Sequence, residues 1–316
     1  MEHRDMVQVA ILLATYNGER YLREQLQSLC EQSFRDFRCY VHDDGSKDAT
    51  MEIVREFCEK DPLRFAVMEG PPCGGAKENF LYMLRNAPDT PYTMFCDQDD
   101  VWRADKIEVS MNAMREAEKS TPLVCVYSDA EVVDGKLDTI CPSFMLFNRL
   151  EPVPENLLAA ICRNSVIGCT IMINRGLREQ CCRLEDDSLV YMHDWWIAML
   201  AQARGALCYI DEPLLRYRLH ENNTLGAREV KATEKLRHLL SYCAHPLREI
   251  RRSMLAERRA VMHACALDPV LDAADPDREL VHRLASLRGR GKLARAHSYW
   301  KYGLIRPRNI WRLLWV

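Results

Sequence analysis

Along residues 7–130, short continuous apolar runs alternate with segments whose apolar side chains recur every three or four positions. Val7-Gln8-Val9-Ala10-Ile11-Leu12-Leu13 reads as a buried strand, and Glu19 to Glu31 as a helix with Tyr21, Leu22, Leu26 and Leu29 on one face. Strands are then expected at Arg38 to Val41, Phe65 to Met68, Tyr92 to Cys96 and Leu123 to Tyr127. Helices are expected at Asp48 to Glu59, Lys77 to Arg85 and Asp105 to Lys119. Continuous apolar strands alternating with amphipathic helices predict an α/β, doubly wound, mostly parallel sheet covered on both faces. The second half is less regular. Ser165 to Ile173 reads as a strand, Asp194 to Ala203 as a helix, and Leu207 to Ile210 as a strand leading into Leu215-Arg216-Tyr217-Arg218-Leu219-His220. Beyond Arg228 the pattern is helical.

Charge divides the chain at the same place. Up to Ala227 about 24 basic residues face about 37 acidic ones, and from Arg228 onward about 19 face about 9, so a net charge of −3 conceals an acidic body and a basic tail. We therefore expect one domain over 1–227, with halves of about 1–130 and 131–227, and a basic helical region over 228–316. The 14 cysteines are scattered through apolar runs, without CxxC pairs or Cys/His zinc spacing, and are expected to be reduced thiols in a cytoplasmic chain. The short early apolar run is no secretory signal, and no run of apolar residues is long enough to span a membrane. The Arg- and Trp-rich end, Tyr299 to Val316, suits peripheral contact with an anionic membrane surface.

The candidate chemistry lies where the strands end. Asp97-Gln98-Asp99-Asp100 crowds three carboxylates, and such crowding calls for a bound cation, open solvent or a phosphorylated intermediate. Ligands of open parallel sheets bind outside the carboxyl ends of the strands. Ala14-Thr15-Tyr16-Asn17-Gly18, His42-Asp43-Asp44-Gly45-Ser46 and the Asp97 cluster would share that rim. A nucleotide fits it: Tyr16 stacking on the base, Asp44 accepting from a pyrimidine imide, Asp97 accepting from a ribose hydroxyl. Hard carboxylate oxygens select Mg²⁺ or Mn²⁺, which usually share their shell with substrate phosphates, so the crowded aspartates meet a divalent ion bridging a diphosphate. An aspartyl-phosphate phosphatase with Asp97 as nucleophile, and a non-catalytic nucleotide-sugar-binding module, are the competing readings. No GxGxxG follows the first strand, and no aromatic-interleaved basic face suggests nucleic acid.

The run ATYNGERYLREQLQSLCEQSF, then DDGSKDAT, then DQDDVW followed by Asp105-Lys106, is similar to family two inverting glycosyltransferases of the GT-A fold, closest to bacterial rhamnosyltransferase-like members. The similarity extends over residues 7–226. It implies transfer of a sugar from a nucleotide diphosphate donor, dTDP-rhamnose or a UDP-sugar, to a hydroxyl of a glycan or lipid-linked oligosaccharide. By the same resemblance Thr15, Tyr16 and Asn17 line the nucleotide pocket with Asp44 and Asp97, and Asp99 is the metal ligand, joined by His220. Asp194 is the catalytic base. Arg216 and Arg218 would contact the diphosphate, while Asp100, Trp102, His193, Trp195 and Trp196 would face the sugar or acceptor. The tandem tryptophans also suit core anchors, and His193 a structural role.

Overall fold

In the computed structural model, residues 7–220 and 246–290 are described, with side chains of 246–254 excepted. The chain divides into two compact units, Met1–Asp187 with Met192–Ala227, and Ser188–Tyr191 with Arg228–Val316.

The first unit is built on a mixed sheet. Its parallel half consists of Val9–Thr15 (β1), Phe37–Asp43 (β2), Phe65–Val67 (β3) and Tyr92–Cys96 (β4) in the order β3-β2-β1-β4. β1 is apolar on both sides because both sides are covered: Val9, Ile11 and Leu13 join a core with Leu22, Leu26 and Leu29 of the helix Leu22–Cys30 (α1), and Ala10 and Leu12 are also fully buried. Thr50–Lys60 (α2), Ala76–Asn86 (α3) and Lys106–Ala117 (α4) complete the expected alternation, each within two residues of its sequence-derived bounds. Val101–Trp102 (β5) is a short strand that leaves the Asp97 cluster.

Beyond residue 120 the sheet turns antiparallel in part. Val124–Val133 (β6) carries the small strand Thr139–Cys141 (β7), and Met172–Asn174 (β8) lies antiparallel between β4 and β6. The helices here are Phe144–Asn148 (α5), Leu157–Cys162 (α6), Arg175–Cys181 (α7) and His193–Arg204 (α8). Two expectations change. The run 165–173 is not one strand: Asn164 bonds Val166 through both its carboxamide atoms, and Gly168–Thr170 closes a 3-10 turn, so only the last residues join the sheet. Conversely, Ala206–Arg218 (β9) is one strand. It runs parallel to β6 with two register shifts: the first carries the pairing from Ser128↔Ile210 to Asp129↔Pro213, leaving Asp211 and Glu212 as a bulge, and the second falls before Glu131↔Arg216. Proline, lacking an N–H, suits such a break.

In the second unit, Pro246–Leu267 (α9) and Arg278–Ala285 (α10) pack together, with Ala260, Ala264, Val281 and Leu284 buried. No helix among the described residues is long and apolar enough to cross a membrane. The expected membrane-contacting end, Tyr299 to Val316, lies outside the described residues. The described cysteines are all free thiols.

Candidate active site

β1 lies between β2 and β4 in parallel register, Thr15 beside Asp43 and Leu13 beside Cys96, so the three polar tips emerge side by side. The first two are laced together. Asp43 accepts from Thr15 Oγ1 at 2.8 Å, from Ser46 Oγ at 2.6 Å and from the amides of Gly45 and Ser46 at 3.1 and 2.8 Å. Thr15 is buried in this network, so it shapes the loop. Asn17 adopts a left-handed φ of 47°, its amide donating to Ser46 Oγ and its Oδ1 accepting from the Lys47 amide at 2.9 Å. Two residues then project from a fixed frame. Tyr16 is 54% exposed. Asp44 uses Oδ1 to accept the amides of Cys73 and Gly74, which leaves Oδ2 for a ligand.

The third tip is where charge concentrates. Burial, then the neighbouring carboxylates of Asp99 and Asp194, push Asp97 up to about 7. Asp100 is 1% exposed and pushed well above the usual range, first by burial and then by Asp99 and Asp97. Asp99 Oδ2 meets His220 Nε2 at 2.6 Å, and the His220 ring stacks on Tyr21 with centroids 5.2 Å apart. Strand pairing makes this meeting possible: β5 pairs antiparallel with the end of β9, Val101 opposite Arg216, which brings residue 220 back to the Asp97 loop.

Two acidic groupings are candidates for a cation. Ligand atoms of Asp97, Asp100 and Cys169 lie within 4.8 Å of one another. That set is enclosed, its thiol is held neutral by burial, and Asp100 Oδ1 already accepts the Arg218 amide at 3.1 Å. A soft, protonated thiol is a poor partner for a hard ion. The rim set of Asp99 and His220 beside Asp97 fits better, because it pairs a carboxylate oxygen with an imidazole nitrogen next to carboxyls whose protonation a divalent charge would reverse.

Asp194 occupies the first turn of α8 and accepts from the Trp195 amide at 2.5 Å and from Asn164 Nδ2 at 3.2 Å. Burial outweighs these bonds and holds it at about 7, and its charge is felt at Asp97. Asp44, Asp97, Asp99, Asp194 and His220 are therefore on or beside one rim.

Other expected contacts fall elsewhere. Arg218 is 1% exposed, and its guanidinium donates to Asp99 O at 2.8 Å, Gly135 O at 2.9 Å and Glu24 at 2.6 Å while lying 4.3 Å from the Tyr21 ring. It is committed to the protein, not to a diphosphate. Arg216 is exposed and faces Glu131 at 3.3 Å. Trp196 is fully buried and donates to Cys181 O, and Trp195, 6% exposed, donates to Ala160 O. Trp102 is buried beneath the Lys106 ammonium, 4.6 Å from its ring. His193 is wedged against Phe80 and Phe95, at 4.2 and 5.3 Å between centroids, and burial depresses it to about 3. These four rings and Asp100 are core groups with no open face for a sugar.

Four residues at the site were not singled out in the sequence for any role: Gln98, Asn164, Cys169 and Lys106. Lys106 follows the DQDDVW motif and so carried a positional signal, whereas Asn164 and Cys169 arrive through a turn that periodicity read as strand.

Comparison with known proteins identifies the family and the fold. A dTDP-rhamnosyl transferase of Shigella flexneri, RfbG, is 28% identical over 224 residues, which cover 68% of this chain and 74% of the relative. An uncharacterized glycosyltransferase of Rickettsia typhi is 28% identical over 222 residues, 68% of this chain but only 65% of the relative. Among solved structures, S. aureus TarS residues 1–349 match with a TM-score of 0.54 at 20% identity, over 94% of this chain and 92% of that one. A Pyrobaculum calidifontis mannosyltransferase in complex with GDP-Man and Mn²⁺ matches with a TM-score of 0.54 at 17% identity, over 97% and 85%. At such identities the structures speak for the fold, which is of the GT-A kind. The glycosyl transferase family 2 profile matches residues 10–179, more than half the chain and all three strand tips, and the protein is accordingly a glycosyltransferase belonging to that family.

Proposed function

We propose that this chain moves a sugar from a nucleoside diphosphate donor to an acceptor hydroxyl in one inverting displacement, with Asp194 as general base and a divalent ion at Asp99 and His220. The observation that carries the reading is Asp194 itself: a carboxyl held at about 7, at a helix start, electrostatically coupled to the aspartate of the opposite loop. A base poised near the working pH is best placed to take a proton in the transition state, a contribution of about 10² to 10⁴ in rate, or roughly 3–5 kcal/mol.

Each residue then has a task. Tyr16 stacks on the base, Asp44 Oδ2 accepts its imide N–H, and Asp97 accepts from the ribose. Asn164 and the amides of Trp195 and Gly168 orient the Asp194 carboxylate toward the acceptor. Mg²⁺ or Mn²⁺ held by Asp99 and His220 would supply Lewis-acid stabilisation of the diphosphate. Arg216, exposed on the neighbouring strand end, remains a candidate cation for the phosphates. Likeness to the Shigella protein favours dTDP-rhamnose over a UDP-sugar, with the acceptor a glycan or lipid-linked oligosaccharide of a cell-surface polysaccharide. The basic C-terminal region would hold the enzyme peripherally on the cytoplasmic face of the membrane. The domain boundary near residue 227 belongs to the same proposal.

Release of nucleoside diphosphate from a panel of nucleotide sugars, with Mn²⁺ and a lipid-linked acceptor, tests the reading. Asp194→Asn should bind donor normally and transfer nothing, and Asp99→Asn should lose Mn²⁺-dependent donor binding. Robust turnover by the Asp194 variant, or normal Mn²⁺ and donor binding by the Asp99 variant, would refute the corresponding role. Equal sedimentation with anionic liposomes with and without residues 289–316 would refute the membrane role.

A further inference from the structure

Gln98 lies between Asp97 and Asp99, yet its carboxamide bonds to neither. The Tyr16 amide donates to Gln98 Oε1 at 2.9 Å, and Gln98 Nε2 donates to the Tyr16 carbonyl at 3.0 Å. A neighbouring strand would make the same pair of bonds. Here a side chain makes them just beyond the points where β1 and β4 stop, at Thr15 and Cys96. A second feature bears on the same contact. A Cβ on Gly18 would fall inside the carboxamide, 2.5 Å from Gln98 Cδ, while Gly18 is not among the residues with positive φ. A side chain at position 18 would therefore displace the Gln98 carboxamide, with no strain from the backbone of residue 18 itself.

We propose that Gln98 is a positioning residue that locks the base-side loop, residues 16–18, to the metal-side loop, residues 97–100, so that the two ends of a nucleoside diphosphate meet a single rigid surface. The inference rests on the donor reading above. The clamp matters for position more than for stability: both bonds are solvent-exposed, so the Tyr16 groups pass to water when it is lost, and the fold survives. What is lost is preorganisation, which a ligand must then restore from its own binding energy.

The two sides of the contact offer two independent ways to break it. Gln98→Met keeps the length of the side chain and removes both bonds, while Gly18→Ala leaves Gln98 in place but evicts its carboxamide. Amide exchange at Tyr16, measured without ligand, should accelerate in each variant. Affinity for dTDP and UDP with Mn²⁺ should fall about tenfold in each single variant and about tenfold, not a hundredfold, in the double variant, because both remove one interaction. The kcat at saturating donor should stay within about twofold, since a clamp spent on binding shifts KM. Unchanged Tyr16 exchange, unchanged nucleotide affinity, or a double-variant loss equal to the product of the single losses would overturn the proposal. If the wild-type chain binds neither dTDP nor UDP, the donor reading fails and this inference with it; the exchange measurement tells that failure apart from a missing clamp.

Discussion

Replacing Arg218 by Met separates a structural arginine from a phosphate-binding one. The side chain is buried, and its removal strands the carbonyls of Asp99 and Gly135, each costing about 1–2 kcal/mol when a charged donor is lost. The pair with Glu24 adds little, at most about 1 kcal/mol, because that carboxylate is half exposed. Contact with the Tyr21 face adds about 0.5–1 kcal/mol. The sum is about 3–5 kcal/mol, a large share of the roughly 5–15 kcal/mol that typically holds a domain together. Urea denaturation at neutral pH should show that loss for Arg218→Met. Arg216→Met, which removes an exposed side chain, should change stability by less than about 1 kcal/mol. An Arg218 variant within about 1 kcal/mol of wild type that had lost donor affinity would refute the assignment and restore this residue to the diphosphate.

Three further outcomes are expected. The donor-saturated transfer rate should fall as pH drops through about 7, where Asp194 takes up its proton, and a flat profile from pH 6 to 8 would exclude it as base. Asp194→Asn should stabilise the chain at pH 8 and not at pH 4: the raised carboxyl favours the fold only while protonated, its contribution being full below the ordinary carboxylate value of 3.8 and lost as pH rises through about 7. About 2 kcal/mol is expected, less than the full shift implies because the carboxyl keeps an opening to solvent; equal gains at both pH values in urea titrations would contradict it. Gly168→Ala should cost about 1–3 kcal/mol in thermal or urea unfolding, since its Cβ would lie 2.7 Å from the Nε2 of a His193 already wedged between two phenylalanines, and a neutral substitution would show that the ring can retreat.

The parallel half was legible in the sequence because its strands are buried on both faces and its helices are amphipathic, so burial and periodicity carry the same message. Asp44, Asp99 and Asp194 stood out as candidates because each sits at the end or start of such an element. Arg218 could not be read correctly: an arginine in a loop-closing motif looks the same on paper whether it meets phosphate or three protein oxygens. For His193, Trp195 and Trp196 the sequence left a sugar wall and a core anchor both open, and the enclosure of α8 nearly all round favours the core. The turn at Gly168–Thr170 escaped because a β-branched, apolar run reads as strand until a side chain such as Asn164 satisfies the backbone first.

The bulge at Asp211 and Glu212 has a consequence for how this region tolerates insertion or deletion. Side chains on β9 alternate sides, and the strand beyond the bulge brings Arg216, Tyr217 and Arg218 to β5 and β6 in fixed phase. Removing a single residue at the bulge would exchange the two sides, both of them covered at Tyr217 and Arg218, and pull the Arg218 guanidinium from beneath Asp99. Length changes here should therefore survive only in pairs, so this short irregularity, together with the second shift before Arg216, sets the phase on which the acidic rim is assembled.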